Sequence, residues 1–565
     1  MNTGDYRPVL AYLDRYIRQM MRKHHIVGLS IAVLDDQHIA WRAGFGFADQ
    51  AEGVAANADT RYRAGSISKI FTTAAVMQLA EADRIDLDAP LVAVLPEFAI
   101  QSREPNPRPI TPRMLMNHHS GLPGDIAEGM WTDRPAHFSA VIGALRETYR
   151  SYPPNLVHAY SNIGFDLLGS TIERVSGLVY ESYLRERLLT PLGMSNSAFE
   201  IAPPIATQAY DRRGKPAEEP ALRDTPAGGL NTSAPELLQF ARMLFAAGLL
   251  GDTRVLGAAS VAEMQRPQNA ASPLDADLRV GLGWHFAPDA VRGGGPVLMH
   301  DGGTINHRAV LMLLPEHKLA VAVLSNTASA LEPAMAIAGQ ALALFLEAKT
   351  GVRQPDEPIG TYRFPAAPAE AFPGHYASEL GFLTIRDRRG RLVAEVGGKR
   401  LLLDRRDNGY HGLEYRLLGL IPIDLDKLGR YQLTRARIAG HELLLAGEAG
   451  AFYLAAERIE PVSIPPAWTA RLGRWTYSGR DRLIAEKLVK SGVELKIVDG
   501  FLLAEVEGEG GVAALALEPI ADDAAIVRGL GRGRGETVHA LGAGVGETLR
   551  YAGMTFTRER GASGP

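Results

Sequence analysis

Residues 61–71 read RYRAGSISKIF and place Ser66 three positions before Lys69, at the start of a predicted helix. On a helix, side chains three positions apart share one face. A serine becomes a nucleophile only when a base takes its proton, and a lysine is such a base only when burial or a nearby positive charge lowers its pKa. The same pair also fits a helix-capping serine beside a solvated lysine. Ser-x-x-Lys alone therefore does not decide between the two interpretations.

A second motif, AYSNIGF, holds Tyr160 and Asn162 between a turn and a predicted helix. Next to Lys69, a phenol can pass a proton between Ser66 and a leaving group, and an amide can hold both the lysine and the scissile carbonyl. The alternative interpretation is a buried tyrosine and an asparagine that caps the next helix.

The chain offers two candidates for a third motif. KTG at residues 349–351 ends a long predicted helix, where a lysine complements the helix dipole and a glycine forms the C-cap. We therefore interpret KTG as a helix end. HDGGTIN begins at His300 and fits a strand that runs along a pocket, because its glycines let another backbone approach closely.

Strand alternation places His300 and Gly302 on one face and Asp301 on the other, so Asp301 is not expected to be catalytic. We predict that His300 donates a hydrogen bond to the substrate or to Tyr160, and that the Gly303 N–H is the second oxyanion donor. The alternative is a turn histidine near the surface.

The composition narrows the function. The chain has 565 residues, a net charge of -4 and no cysteine, which excludes disulfides, thiol catalysis and cysteine-bound zinc. No basic tract indicates nucleic acid or an anionic membrane, no segment approaches the roughly 18 apolar residues of a membrane span, and the charged N-terminus lacks the apolar core of a signal peptide. We expect a cytoplasmic protein with a small-molecule or short-peptide substrate and no cofactor or metal; homo-oligomer formation is left open. The pairs His24–His25 and His118–His119 lack metal-site spacing and are expected to be solvated or capping residues.

Hydrophobic patterns divide the chain into regions. IVGLSIAVL with HIAWRAGFG, and RAVLMLL with LAVAVLSNT, predict two strand hairpins at opposite ends of residues 1–350. They indicate one α/β domain whose sheet is built from both ends and flanked by helices. A Pro-rich linker is predicted at 351–370. Short strand patterns then predict two all-β, barrel-like domains at 371–460 and 466–562. Their similar openings, GHYAS and GRWTYSG, and endings, FYLAAER and MTFTRER, indicate a duplication.

The three motifs, in this order and on suitable elements, resemble the serine β-lactamase-like hydrolases: class C β-lactamases, DD-peptidases, D-aminopeptidases and related esterases. The resemblance covers about residues 5–345 and includes NHHSGLPG, TPLGMSNSAF, PAGGLNTS and GLGW. It implies an antiparallel sheet flanked by helices. It also implies that Ser66 is the acylated nucleophile, that Lys69 and Tyr160 form the proton relay with support from Asn162, and that the N–H groups of Ser66 and Gly303 form the oxyanion hole.

One position departs from that family. Many β-lactamases and DD-peptidases carry a lysine where His300 stands, and a neutral or weakly basic histidine favours a substrate carboxylate less. The resemblance therefore implies amide hydrolysis as in aminopeptidases or D-aminopeptidases, ahead of carboxylesterase activity. A non-catalytic, penicillin-binding-like sensor is the third hypothesis.

The tail resembles the three-domain D-aminopeptidases, in which two β-barrels follow the hydrolytic domain and a loop from the last one reaches the active site. RGLGRGRGE, residues 528–536, is either such a loop or an exposed hairpin. We expect the hairpin.

Overall fold

The computed structural model describes residues 5–559 except 200–206, 288–289, 352–362, 418–420, 424–430, 449, 491, 509–510 and 543. Most of the predicted linker, at 352–362, lies outside the described residues. The α-helices are α1 Arg7–Lys23, α2 Ser68–Glu81, α3 Pro112–Met116, α4 Val141–Leu145, α5 Asn162–Ser176, α6 Tyr180–Leu184, α7 Thr225–Gly228, α8 Ala234–Phe245, α9 Ala258–Met264, α10 Leu331–Thr350 and α11 Pro466–Thr469.

The hydrolase region, which we define as residues 5–351, has one large sheet and several short strand pairs. Its strands are β1 Gly28–Asp35, β2 His38–Asp49, β3 Val54–Ala55, β4 Tyr62–Gly65, β5 Trp131–Thr132, β6 Ala198–Phe199, β7 Ala209–Tyr210, β8 Pro216–Ala217, β9 Ala221–Leu222, β10 Leu230–Thr232, β11 Leu249–Leu250, β12 Thr253–Arg254, β13 His285–Phe286, β14 Leu298–Gly303, β15 Arg308–Leu314 and β16 Leu319–Ser325.

The large sheet is antiparallel and has the order β13-β14-β15-β16-β1-β2-β3. β1, from the start of the chain, pairs with β16, from the end of the region. Both predicted hairpins and the sheet built from both ends are thus confirmed. Alternate residues of β1 enter two cores, since Ile31 and Val33 pack with α1 and α10 whereas Ala32 and Leu34 pack with α2 and α8. Helices on both faces explain the unbroken apolar strands.

Helix α10 ends as KTG predicts. Gly351 adopts the left-handed conformation at the C-cap, and the Lys349 Nζ donates to Asp35 Oδ1 at 2.6 Å. Among the described residues, α10 is also the one helix long and apolar enough to cross a membrane, and half of its apolar window is buried inside the protein. Core helices of this kind pass the same test.

Two β-barrels follow. The first contains β17 Gly374–Ser378, β18 Gly381–Asp387, β19 Leu392–Val396, β20 Lys399–Arg405, β21 His411–Leu417, β22 Ile421–Ile423, β23 Gln432–Ile438, β24 His441–Glu448 and β25 Ala451–Ile459. The second contains β26 Gly473–Tyr477, β27 Val493–Val498, β28 Phe501–Gly508, β29 Gly511–Ala521, β30 Ala524–Val527, β31 Thr537–Leu541, β32 Thr548–Tyr551 and β33 Met554–Arg558.

Both barrels are closed by antiparallel pairing. In the first, β17 pairs with β25, and a β20–β21 pairing completes the ring. In the second, β26 pairs with β33. Each barrel therefore joins its first strand to its last. The predicted class, an α/β domain followed by two all-β barrels, is confirmed.

Candidate active site

Ser66 lies in the turn that joins β4 to α2. The helix begins at Ser68, two residues later than the sequence suggests, so Ser66 precedes the helix rather than opening it. The Ser68 hydroxyl donates to the Gly65 carbonyl at 2.6 Å, which fixes the turn. Ser66 is half-buried, whereas Lys69, in the first turn of α2, is fully buried.

Two glycines let β14 run against this turn. A Cβ atom on Gly302 would lie 1.9 Å from the Ala64 carbonyl oxygen, and one on Gly65 would lie 2.7 Å from the Gly303 nitrogen. Neither position has room for a side chain. The close approach brings the Gly303 backbone beside Ser66, which is the arrangement that two oxyanion donors require.

The buried amine of Lys69 makes three hydrogen bonds. Its Nζ lies 3.2 Å from Ser66 Oγ, 2.7 Å from Asn162 Oδ1 and 2.8 Å from the Ala227 carbonyl oxygen. Burial, reinforced by the charge of Arg532, lowers the pKa of Lys69 to about 7 although three aspartates oppose the shift. An amine with this pKa is partly neutral at neutral pH and can then accept the serine proton.

Tyr160 completes the predicted cluster. The Lys69 Nζ lies 4.8 Å from the centre of the Tyr160 ring. Burial raises the pKa of the phenol above its ordinary value, and hydrogen bonding with the Ser66 hydroxyl and the charge of Arg532 oppose that rise. The phenol therefore stays protonated at neutral pH and can donate. The structure thus brings Ser66, Lys69, Tyr160 and Asn162 together.

His300 lies beside the cluster but is not arranged as expected. Its Nδ1 lies 2.6 Å from the Asp301 carbonyl oxygen, which can only accept, so Nδ1 carries the proton. Burial, followed by the charges of His285 and Lys69, holds the pKa of His300 well below its usual value. The ring is therefore neutral, and its Nε2, which has no hydrogen-bond partner among the described residues, can accept but not donate. The expected donor role does not fit this geometry.

A residue from the second barrel enters the same site. The loop at 528–536 joins β30 to β31, and the Arg532 guanidinium carbon lies 5.0 Å from the centre of the Tyr160 ring. Arg532 Nη2 also donates to Asp125 Oδ2 at 2.5 Å, while Asn162 Nδ2 donates to Asp125 Oδ1 at 2.6 Å. A chain of contacts thus runs from Lys69 through Asn162 and Asp125 to Arg532. The expectation of an exposed hairpin is wrong.

Further contacts hold this loop in place. Glu536 Oε1 accepts from the Gly124 N–H at 3.0 Å, and the Tyr152 hydroxyl donates to the carbonyls of Gly529 and Gly531 at 3.0 and 3.2 Å. Burial raises the pKa of Glu536 to about 7. Gly124 is the last residue of the landmark NHHSGLPG and directly precedes Asp125. The end of this landmark therefore contacts the loop at 528–536.

The cleft at Ser66 has room for a small peptide. Its volume is about 460 Å³, and its lining includes Asn162, Gly303 and Arg532. Trp131, Ile305 and Asp481 also line a groove of about 1200 Å³ that continues from it. Asp481 belongs to the second barrel, so one wall of this continuous space comes from outside the hydrolase region.

The histidine pair at 118–119 is buried, so of the two expected roles, solvated or capping, the solvated one is wrong for it. His119 Nε2 lies 2.8 Å from Asp275 Oδ2. The centres of the His118 and Tyr160 rings lie 4.2 Å apart, with the ring planes tilted by 31°, and His118 Nδ1 accepts from the Ser161 N–H at 3.2 Å. The pair therefore supports the segment that carries Tyr160.

The fold and this cluster define a class: a serine hydrolase-type site on a β-lactamase-like domain. The family model described as Beta-lactamase matches residues 13–344, more than half of the chain, and the chain belongs to the beta-lactamase family. Penicillin-binding protein 4 of Amycolatopsis lactamdurans is 31% identical over 334 residues, which cover 56% of this chain and 85% of that protein.

Two solved structures show the same fold over most of the chain. The octameric penicillin-binding protein homologue from Pyrococcus abyssi has a TM-score of 0.54 and 21% identity, covering 80% of this chain and 99% of that one. SurE has a TM-score of 0.57 and 22% identity, covering 80% and 98%. Both alignments extend beyond the hydrolase region.

Proposed function

We propose that this protein hydrolyses amide bonds of small peptides or amino-acid amides through an acyl-enzyme on Ser66, with aminopeptidase or D-aminopeptidase activity as the first candidate. The observation that carries this proposal is the fully buried Lys69 amine, 3.2 Å from the Ser66 hydroxyl. Binding alone needs no lysine whose pKa is brought to about 7 beside a serine. This argues against the non-catalytic sensor.

The chemistry follows from the positions of the protons. Neutral Lys69 accepts the Ser66 proton while Ser66 Oγ attacks the substrate carbonyl carbon, and the Ser66 and Gly303 N–H groups stabilise the oxyanion. Tyr160 then gives its proton to the leaving nitrogen and regains one from Lys69. A water molecule hydrolyses the ester by the reverse path, so that Ser66 recovers its proton and the acid product leaves.

Shape and charge support a peptide-like substrate. The cleft continues into the larger groove, which accommodates groups on either side of the scissile bond. The positive charge of Arg532 is already paired with Asp125, and His300 is neutral, so neither offers an uncompensated charge to a substrate carboxylate.

Carboxylesterase activity is the second candidate. The observation that favours it is the neutral His300 at the position where the third motif carries a lysine in many relatives. An ester also needs less help for its leaving group than an amide does.

A substrate panel separates these candidates. Purified protein is offered the p-nitroanilide of D-alanine, p-nitrophenyl butyrate and a chromogenic cephalosporin, each beside Ser66→Ala. Anilide turnover that Ser66→Ala abolishes supports the peptidase. Turnover of the butyrate alone supports the esterase, and cephalosporin turnover supports a β-lactamase. No turnover of any substrate, together with no covalent adduct on Ser66 after treatment with a fluorophosphonate, would overturn the proposed enzymatic activity and favour the non-catalytic sensor.

Self-association is a separate proposal. The relative from Pyrococcus abyssi is described as octameric, and we propose that this chain also forms a homo-oligomer. Size-exclusion chromatography with light scattering tests this: a mass of several chains supports it, and the mass of one chain overturns it.

A further inference from the structure

A pair of buried carboxyl groups lies on the elements that hold Lys69. Asp166 follows Asn162 by one turn of α5, and Asp224 immediately precedes α7, which supplies the Ala227 carbonyl to the lysine. Asp166 and Asp224 are 0% and 1% exposed. Nothing in the proposed reaction uses either of them directly.

Their oxygen atoms are short of donors. Asp224 Oδ1 accepts from Arg223 Nε at 2.6 Å. Among the described residues, no N–H or hydroxyl donor reaches Asp224 Oδ2 or either carboxyl oxygen of Asp166, and all three atoms are buried. A buried carboxylate that no donor reaches is strongly destabilised, so two ionised groups here are not a stable arrangement.

A single proton on one of the two carboxyl groups removes this destabilisation. The two carboxyl groups face each other within hydrogen-bonding range. Burial raises the pKa of both groups, and the charge of Asp224 raises the pKa of Asp166 further. Arg223 opposes the rise, most directly at Asp224 to which it is bonded, and the hydrogen bond from Asp166 also lowers the pKa of Asp224. Asp166 is therefore the protonated partner, and its O–H donates to the ionised Asp224.

We propose that Asp166 and Asp224 form a positioning pair that shares one proton and carries one negative charge, and that this charge balances the positive charge of Arg532 in setting the protonation state of Lys69. The inference rests on the proposed role of Lys69 as the base. It assigns the control of that base to two opposing sources, one inside the hydrolase region and one on the second barrel.

Other charged and titratable groups act on Lys69 or on the pair and must stay constant in a test. They are Asp125, Tyr160, Tyr180, Arg223, Arg532, His118, His285 and His300. Asparagine replacements of Asp166 and Asp224 leave all of them in place and keep the shape of the carboxyl group.

The test compares Asp166→Asn, Asp224→Asn and the double variant. The rate at which a fluorophosphonate labels Ser66 is measured as a function of pH. The decrease of this rate at low pH, which we call the acid limb, reports the protonation of Lys69. In the Asp166→Asn variant, Asp224 still carries the charge; in the Asp224→Asn variant, Asp166 ionises beside Arg223. We therefore expect each single variant to keep the limb near that of the unmodified protein, and the double variant to move it about one unit to lower pH.

Other results would overturn the inference. If the acid limb shifts in each single variant and the two shifts add up in the double variant, both carboxyl groups are ionised and share no proton. A double variant whose limb does not move means that the pair does not control Lys69.

A second readout does not depend on activity. Infrared difference spectra between the unmodified protein and Asp166→Asn should show a protonated carboxyl band that the variant lacks; its absence overturns the shared proton even if the double variant does not fold. Failure of the proposed function looks different, since Ser66 is then not labelled at any pH while the band remains.

Discussion

The hydrolase region and the second barrel contribute to the same cleft in different ways. The hydrolase region supplies the hydroxyl, amine and phenol that are proposed to react, on or next to β4, α2 and α5. The second barrel supplies Arg532, a charge carried by the loop between β30 and β31. Arg532 contacts the ring of Tyr160 and the carboxylate of Asp125.

The residues proposed to react thus lie in one region, and a charge that shifts the pKa of Lys69 comes from another. Groups that exchange protons must be held within a fraction of an ångström, which regular elements and the short segments directly attached to them achieve better than long loops. A charge acts over several ångströms, so a residue that acts only through its charge can be carried by a loop. We infer that the hydrolase region determines whether the reaction occurs, and that Arg532 of the second barrel and the Asp166–Asp224 pair together determine at which pH it is fast.

The first barrel contacts the hydrolase region through a backbone hydrogen bond and an apolar cluster. The Phe452 N–H donates to Asp277 Oδ2 at 2.9 Å, and Leu443 and Leu445 join an apolar cluster with Val157 and Leu274. This cluster supports the segment that leads into Tyr160. The two barrels thus make different kinds of contact with the hydrolase region.

The largest effects on activity should come from the hydrolase region. Lys69→Ala and Tyr160→Phe should each slow acylation at least about 100-fold, because each removes acid–base help, and Ser66→Ala should abolish it. The measurement is single-turnover acylation by the substrate that the panel identifies. Near-normal rates in either variant would remove that residue from the mechanism.

A smaller effect is expected from Arg532→Ala. Losing this charge, which also leaves Asp125 unpaired, should raise the pKa of Lys69 and move the acid limb of the activity about one unit to higher pH. Activity below the limb then falls about tenfold and recovers at higher pH.

Two variants make this result specific. Arg532→Lys keeps the charge and should restore most of the limb position. Arg528→Ala alters the same loop, but Arg528 pairs with Glu518 of its own barrel at 3.1 Å and should leave the limb in place. A loss of activity that is equal at all pH values would contradict the tuning role.

Glu536→Gln should affect stability more than activity. Burial raises the pKa of Glu536 from 4.5 to about 7, so the folded protein binds this proton more tightly than the unfolded chain. The resulting stability is complete below about pH 4.5 and is lost as pH rises through 7, up to about 3 kcal/mol.

Glutamine keeps the neutral form at every pH. Urea unfolding at pH 5 and pH 8 should therefore show a smaller loss of stability for Glu536→Gln than for the unmodified protein. An equal loss of stability between pH 5 and pH 8 in both proteins would mean that a group other than Glu536 causes the pH dependence.

The smallest effect is expected from Lys349→Ala. Lys349 belongs to the KTG sequence that resembles the third motif only in its letters, and it pairs with Asp35 at a partly exposed site. Its loss should cost about 1 kcal/mol or less of stability and leave acylation unchanged. A hundredfold loss of activity would show that the third motif was assigned to the wrong residues.

Local patterns predict much of this molecule. The hairpins, the long helix α10 and the barrel repeats follow from periodicity and turn residues within short windows. Ser66, Lys69, Tyr160 and Asn162 follow from motifs on elements that the same patterns place. These features depend on neighbours in the sequence, so the sequence carries them directly.

What the sequence does not reveal depends on distant partners. Arg532 meets Asp125 only because the second barrel folds back onto the hydrolase region, and Asp166 meets Asp224 through the packing of α5 beside α7. A glycine-rich loop looks the same whether it is exposed or docked. One signal was available, since Asp125 directly follows the landmark NHHSGLPG.

Fluorophosphonate labelling of Ser66 as a function of pH, followed by peptide mass spectrometry, tests the central claim most directly. We predict one adduct, on Ser66, whose rate of formation rises as pH passes through about 7, where Lys69 loses its proton. No adduct, or an adduct on Ser66 that forms at a rate independent of pH between about 5 and 9 and unchanged in Lys69→Ala, would contradict this claim.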